Sequence, residues 1–203
     1  MGIRSRRLAR RRVFTGKVFD VTRDRVRLPH GPVADLDVVR HRGSVVLIPE
    51  PAPDRVMLIR QYRYAVNRWL WELPAGSLEP GERPDRAARR ECAEEIGLRP
   101  RRIVRVGTFY PTPGFCDERM LFYRCLDLVV PARPAALDED EDLEPRTFTR
   151  RQLARMIRRG EIADMKTVVG LAMTHRTPTG AGRGGRRGGL QPARLLSGRR
   201  GGL

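Results

Sequence analysis

Hydrophobic positions along the chain form short runs and alternations that predict strands, with one long stretch of helical character between them. Apolar runs at 44–48 and 56–61 are separated by the turn-forming residues 51–54, and each run predicts a buried strand. Over 13–42, apolar and polar residues alternate on both sides of a Pro/Gly cluster at 29–32. This pattern is typical of a small antiparallel sheet.

The helical stretch runs from Asp85 to Ile96 and contains neither Gly nor Pro. Pro84 occupies a favoured first-turn position, and Gly97 predicts the end of the helix. The same reasoning predicts strands at 68–73, 103–110, 120–130 and 145–148, and helices at 149–159 and 163–175. Strands flanking a central helix, followed by more strands and terminal helices, predict an α/β/α sandwich of mixed sheet with a small N-terminal antiparallel sheet.

Charge is distributed unevenly and divides the chain into four predicted segments. Of the net charge of +17, residues 1–12 and 176–203 supply 13 units, because they contain six and seven arginines and no acid. We predict a flexible basic arm at 1–12, an N-terminal sheet for dimerisation at 13–42, a main domain at 43–175 and a disordered Gly/Arg-rich tail at 176–203. A shifted reading frame in GC-rich DNA is an alternative origin of the tail.

Composition narrows the class of protein further. Arginine outnumbers lysine 39 to 2, which we interpret as the coding bias of a GC-rich genome. No apolar run approaches the roughly 20 residues of a membrane helix, and the basic N-terminus lacks the apolar stretch of a secretory signal. We therefore expect a cytoplasmic bacterial protein with no membrane partner, a mitochondrial transit peptide being the minor alternative. The three cysteines form no CxxC pair and are expected to be reduced.

The predicted central helix carries three glutamates with metal-binding potential. Glu91 and Glu95 are one i,i+4 step apart and Glu94 is one i,i+3 step from Glu91, so their carboxylates share a face. A divalent cation such as Mg²⁺ would offset their repulsion. Taken alone, the same face could be a solvated charged surface with Arg89 and Arg90 as ion partners.

A longer motif surrounds these glutamates. Gly76 is followed after five residues by Glu82, and seven further residues lead to the segment 90–98, RECAEEIGL. The spacing matches G-x5-E-x7-R-E-U-x-E-E-x-G-U, where U is apolar, at every fixed position. The chain thus resembles the Nudix hydrolases, a family that hydrolyses nucleoside diphosphates linked to another moiety.

The resemblance implies both a cofactor and its ligands. Mg²⁺ is the expected ion, with Mn²⁺ as an alternative. Glu91 and Glu95 would ligate it together with Glu94 and the Ala75 carbonyl, and Glu82 would be a supporting carboxylate. The number of ions stays open.

Flanking motifs narrow the resemblance to the ADP-ribose pyrophosphatases, over residues 14–175. They are RQYRY at 60–64, WLWELPAG at 69–76, PGF at 113–115 and the acidic run DEDEDL at 138–143. The implied reaction is hydrolysis of ADP-ribose to AMP and ribose 5-phosphate.

Further roles follow from this narrower resemblance. Substrate contacts are implied for Arg63, Gly76 and Phe115, and Arg63 could instead form a surface ion pair. The implied catalytic residues are Glu139, which would orient or deprotonate water, with Glu94 and Arg90, and Glu141 would be an additional metal ligand. A solvated acidic loop is the alternative for Glu139 and Glu141, and core or interface positions are expected for Trp69 and Trp71.

The expected partners are a small nucleoside diphosphate substrate and a second copy of the chain, because N-terminal strands in this subfamily usually help to form the partner's adenosine site. One alternative is a Nudix hydrolase of another nucleotide sugar or nucleoside diphosphate derivative. The other is a non-catalytic, regulatory or nucleic-acid-binding protein of the same fold, which would contact nucleic acid at most through its basic tails.

Overall fold

The computed structural model describes residues 4–132 and 142–174, which form ten strands and three α-helices. The predicted tail at 176–203 and the acids Glu139 and Glu141 lie outside the described residues. The strands are β1 (Arg6–Thr15), β2 (Phe19–Arg27), β3 (Val33–His41), β4 (Ser44–Pro49), β5 (Arg55–Arg63), β6 (Arg68–Glu72), β7 (Ala75–Ser77), β8 (Arg99–Phe109), β9 (Met120–Val129) and β10 (Glu144–Thr149). The helices are α1 (Pro84–Ile96), α2 (Arg150–Arg158) and α3 (Met165–Met173).

Strand β4 lies at the centre of the fold, and all six of its residues are buried. It pairs parallel to β9 and antiparallel to β7, within a sheet of order β7-β4-β9-β8. Alternate side chains point to opposite faces of a strand. Val45 and Leu47 therefore pack with residues of α1, whereas Val46 and Ile48 pack with residues of α2 and α3. This confirms the predicted α/β/α arrangement and mixed sheet.

Helix α1 has the predicted bounds within one residue. Pro84 stands in its first turn, and Gly97 ends it in the left-handed conformation at φ 67°, which costs glycine little. Ala87, Ala88 and Cys92 are fully buried against the sheet, which fixes the rotation of the helix about its axis. No helix among the described residues is long and apolar enough to cross a membrane.

A second sheet of order β10-β5-β6 completes the core and brings the end of β6 beside the four-stranded sheet. The predicted strand at 145–148 is confirmed as β10. The three-residue strand β7 was not predicted, because so short a segment has no hydrophobic period. Its pairing with β4, in register Gly76 to Val45, fixes the position of the motif's first glycine.

The N-terminal sheet has the order β1-β2-β3 with antiparallel pairing, as predicted. The prediction of a flexible arm over 1–12 is wrong for residues 6–12, which form the first part of β1. Every residue of β1 is exposed, so its arginines keep their charges in water while the backbone pairs with β2. Composition suggested an unstructured arm, but cross-strand ion pairs stabilise the strand.

The strongest of these ion pairs centres on Asp24 of β2. Arg10 donates two hydrogen bonds to its carboxylate, at 2.8 and 2.7 Å, and Arg40 of β3 donates a third. Arg40 also contacts Asp117 at 2.8 Å, which joins the sheet to the loop at 110–119. The hydrogen bonds from Arg10 hold the pKa of Asp24 at about 2, although burial opposes this shift.

We expect Asp24→Asn to lower the free energy of unfolding by about 2 kcal/mol at neutral pH, because charge-assisted hydrogen bonds to two arginines are lost. Since the folded-state pKa is depressed, the stabilisation is complete above the unfolded pKa of about 3.9. It is lost as pH falls from about 4 towards 2. Urea unfolding of both proteins across pH 2–7 measures the difference.

Asp37→Asn is the matched control, since Asp37 forms a bidentate pair with Arg23 on the same sheet but is exposed. Exposed pairs contribute little, so this variant should unfold like the wild type. A difference between wild type and Asp24→Asn that does not shrink towards pH 2 would contradict the assignment.

Candidate functional site

One guanidinium group, that of Arg90, binds three of the four glutamates of the motif. Its Nη1 donates to Glu91 at 2.7 Å and to Glu94 at 2.9 Å, while Nε and Nη2 donate to Glu82 at 3.1 and 2.9 Å. The hydrogen bonds to Glu82 raise the pKa of Arg90 against the effect of burial, and they lower the pKa of Glu82. The arginine thus offsets the repulsion of three carboxylates on the loop and helix α1.

A close approach between α1 and β7 fixes the carboxylates of Glu91 and Glu95. A Cβ at Gly76 would lie 1.9 Å from Cδ of Glu91 and 2.0 Å from its Oε1, so no residue with a side chain fits here without displacing Glu91. The Ala75 N–H donates to Oε2 of Glu95 at 3.1 Å. Both glutamates are nearly buried, with exposures of 8% and 5%, and are therefore held against the β7 backbone.

The donor chemistry of this cluster fits a divalent cation. Its acidic groups are carboxylates, whose oxygens Mg²⁺ and Mn²⁺ prefer as ligands. Within residues 4–132 and 142–174, no three His, Cys, Asp or Glu side chains stand in an arrangement that could hold a metal ion. Arg90 stands among the carboxylates, so metal binding would require some of them to exchange this guanidinium for the ion.

A cavity of ≈ 390 Å³ adjoins the cluster. Ala75 and Gly76 belong to both features, because they line the cavity and also contact Glu95 and Glu91. The volume lies within the range of small-molecule sites. Its other polar lining residues are Ser44, Arg63, Glu72, Ser77, Glu118, Asp164 and Lys166.

Arg63 forms a two-point ion pair with Glu72 on one wall of the cavity. Nε and Nη2 donate to the two carboxylate oxygens at 3.0 and 2.8 Å. The side chain of Glu72 is only 2% exposed, whereas that of Arg63 is 40% exposed. Burial raises the pKa of Glu72, but Arg63 and Lys166 more than offset this and hold it below its usual value. Nε and Nη2 form one edge of the planar guanidinium group, so Nη1 takes no part in this two-point contact, and Arg63 also lines the cavity.

Sequence reasoning missed several residues of this cavity. Glu72 lies inside the motif at 69–76 but was assigned no role. No charge pattern in the neighbouring sequence marks Lys166 as a site residue. Asp164 could have been found as a helix N-cap, because it precedes α3 and accepts from the Thr167 N–H at 2.9 Å. Glu118 accepts from the Ser44 hydroxyl at 2.8 Å, a contact between residues 74 positions apart that no local pattern signals.

Of the predicted site residues that the structure describes, Phe115 does not line this cavity. Phe115 is 57% exposed in the loop at 110–119, where its carbonyl accepts from the Val39 N–H at 2.8 Å. Glu139 and Glu141 lie outside the described residues. Trp71 packs edge-on against Phe148 with ring centroids 5.0 Å apart, as expected of a core residue, whereas Trp69 is 44% exposed.

Some known proteins are similar to this chain in sequence, and a solved structure is similar to it in fold. An ADP-ribose pyrophosphatase of Bacillus subtilis is 32% identical, covering 79% of this chain and 86% of its own. An ADP-ribose pyrophosphatase of Mycobacterium tuberculosis is 34% identical, and the match covers 83% of this chain and 82% of its own. A methanol dehydrogenase activator of Bacillus methanolicus is also 34% identical, and the match covers 77% of this chain and 85% of its own.

A crystal structure of an ADP compounds hydrolase covers 84% of this chain and 91% of its own, with a TM-score of 0.72 and 20% identity. At that identity the likeness shows the fold alone. The family model of the NUDIX domain matches residues 39–167, a range that contains the carboxylate cluster, Arg90 and every cavity residue named above. The chain therefore belongs to the Nudix family.

Proposed function

We propose that this protein is a magnesium-dependent hydrolase that splits the diphosphate of ADP-ribose into AMP and ribose 5-phosphate. The observation that carries the proposal is the junction at Ala75 and Gly76, where a carboxylate cluster meets a cavity containing an arginine. A diphosphate needs both features, cation ligands and a fixed positive group. The names of the Bacillus subtilis and Mycobacterium tuberculosis relatives support the choice of ADP-ribose.

Glu91 and Glu95 are the proposed main ligands of Mg²⁺ or Mn²⁺, with Glu94 and the Ala75 carbonyl. Glu82 and Glu141 are supporting ligands. A bound ion would neutralise the diphosphate and activate water for attack on phosphorus. The contact between Gly76 and Glu91 supports this assignment, because it holds a carboxylate beside the cavity.

The chain's own residues bind and orient the reactants. Arg63 binds a phosphate through the Nη1 end of its guanidinium, while Glu72 fixes the other edge. Arg90 holds Glu94 and the other carboxylates in place when no cation does so. Glu139 orients or deprotonates the attacking water, a role that rests on the family resemblance of the acidic loop.

The N-terminal sheet is the proposed dimer interface. Its strands and the connection between β1 and β2 expose several large apolar side chains, which would be covered by a second copy: Val13 (45%), Phe14 (53%), Val18 (55%), Phe19 (42%) and Leu36 (43%). In this proposal Phe115, which is hydrogen-bonded to β3 through its backbone, contacts substrate at the same interface. A cytoplasmic location in a bacterium stays a prediction.

Another nucleoside diphosphate derivative is the second candidate substrate. The Bacillus methanolicus relative carries a different name at the same 34% identity, so this level of identity does not by itself decide the substrate. Parallel kinetics with ADP-ribose and GDP-mannose separate the two candidates. A purely nucleic-acid-binding role is disfavoured, because the complete carboxylate cluster serves no purpose in it.

We expect Glu95→Gln to lower kcat/KM for ADP-ribose with Mg²⁺ by about a hundredfold or more, since one charged ligand of the reaction centre is lost. Phosphate-product detection measures the rates. Glu161→Gln, which changes an exposed glutamate outside the site, should match the wild type. Wild-type turnover of ADP-ribose no faster than that of Glu95→Gln would refute the proposed activity.

The dimer predicts that Phe14→Asp shifts the protein from twice the mass of one chain to that of a monomer, because a charge replaces an exposed ring of β1. Light scattering at micromolar concentration measures the mass. Val130→Asp is the control, as Val130 is 81% exposed and lies outside the N-terminal sheet. A monomeric wild type, or a Phe14→Asp variant that still dimerises, would contradict the proposed interface.

A further inference from the structure

Lys166 is an unusual residue for this chain. Of 41 basic residues 39 are arginine, and the only other lysine is Lys17. Lys17 is exposed, whereas Lys166 is 9% exposed in the first turn of α3 and lines the cavity. Since this chain uses arginine almost everywhere that it needs a cation, a buried lysine beside the cavity indicates a requirement that arginine does not meet.

The contacts of Lys166 show what that requirement is. Its Nζ donates to Oε2 of Glu72 and, at 3.1 Å, to Oδ2 of Asp164. The same Oε2 accepts from Nη2 of Arg63 at 2.8 Å. Glu72 is therefore shared between the ammonium group and the guanidinium group, and the rotation of its carboxylate plane is fixed from both sides.

An ammonium group is suited to this position for geometric reasons. It is a compact charge with three rotatable donors, whereas the guanidinium group is planar and wider. Lys166 directs single donors to two carboxylates of different segments, and its side chain is only 8% exposed. An arginine would need more room and would compete with Arg63 for the two-point contact with Glu72.

The charges also balance only when Lys166 is present. Glu72 and Asp164 are two carboxylates facing two cations, Arg63 and Lys166. Without Lys166, Arg63 would be the remaining cation in this group of four, and its guanidinium group would be drawn deeper towards the two carboxylates. A phosphate in the cavity would then have to compete with them for Arg63.

We propose that Lys166 is a positioning residue of the substrate site, which holds Glu72 so that Arg63 presents its Nη1 end to a phosphate of the substrate. This inference rests on the proposed function, because it assigns Arg63 to the diphosphate. Lys166 itself stays bound to Glu72 and Asp164 and acts through Arg63.

The kinetic test compares Lys166→Met and Lys166→Arg with the wild type on the best substrate of a nucleoside diphosphate panel. We expect Lys166→Met to raise KM about tenfold while kcat changes by less than about threefold, as for a lost binding contact within one ion-pair network. Lys166→Arg keeps the charge but not the single-donor contacts of the ammonium group, so KM should still rise. In an Arg63→Ala background both increases should disappear, because the residue through which Lys166 acts is absent.

Two variants separate positioning from stability. Thr174→Val removes the hydrogen bond at 3.1 Å from Nη1 of Arg150 to Oγ1 of Thr174 at the end of the same helix, a contact that does not involve Glu72, Asp164 or Arg63. It should lower Tm and leave KM unchanged, and Lys17→Met should change neither. An increase in KM that persists in the Arg63→Ala background, or a loss of Tm alone in both Lys166 variants, would overturn the proposal.

A second readout does not depend on turnover. The ¹⁵Nε–Hε NMR signal of Arg63, assigned by its loss in Arg63→Ala, reports the hydrogen bond to Glu72 directly. It should shift or broaden in the Lys166 variants and persist in Thr174→Val, and an unchanged signal in Lys166→Arg would overturn the proposal. If no diphosphate of the panel is hydrolysed, the proposed function fails, while this signal still decides whether Lys166 positions Arg63.

Discussion

The contact between the Gly76 backbone and the Glu91 carboxylate is the constraint on which the rest of the site depends. It requires the absence of a side chain at residue 76, since a Cβ would lie 1.9 Å from Cδ of Glu91. It also requires β7 to pair with β4 in its observed register and α1 to pack through its alanines. The glycine is thus the point at which sheet, helix and cavity meet.

Paired charges then hold this arrangement together. Burying a carboxylate is costly unless it is paired and hydrogen-bonded, and the site carries two nearly buried groups of acids. Arg90 compensates three of the motif's four acids, whereas Arg63 and Lys166 compensate Glu72 on the cavity wall. The first group could exchange its arginine for a cation, while the second is a fixed wall that orients one guanidinium group towards the cavity.

Sequence reasoning predicted the parts of the molecule that have a local signal. Helix α1 was bounded correctly because Pro84 and Gly97 mark its ends, and the motif placed Glu91 and Glu95 on one face. The strand over residues 6–12 was missed because its stability comes from pairing with β2, notably between Arg10 and Asp24. Such long-range partners leave no periodic pattern in either segment.

The residues of the candidate site also fall into those that have a local sequence signal and those that have none. Arg63 was identified from a family motif, but its partner Glu72 and the more distant Lys166 were not. The contact between Glu72 and Lys166 joins residues 94 positions apart, so no local pattern predicts it. The β7 register was also beyond prediction, since three residues cannot show a period. Glu139 and Glu141 rest on the resemblance alone, because they lie outside the described residues.

The central claim is that this site hydrolyses the diphosphate of ADP-ribose with a divalent cation. The most direct test is ³¹P NMR of ADP-ribose incubated with the protein and Mg²⁺, beside a sample containing a chelator in excess. The account predicts equal amounts of AMP and ribose 5-phosphate in the first sample and unchanged ADP-ribose in the second. Intact ADP-ribose in both samples, or identical product formation in both, would contradict it.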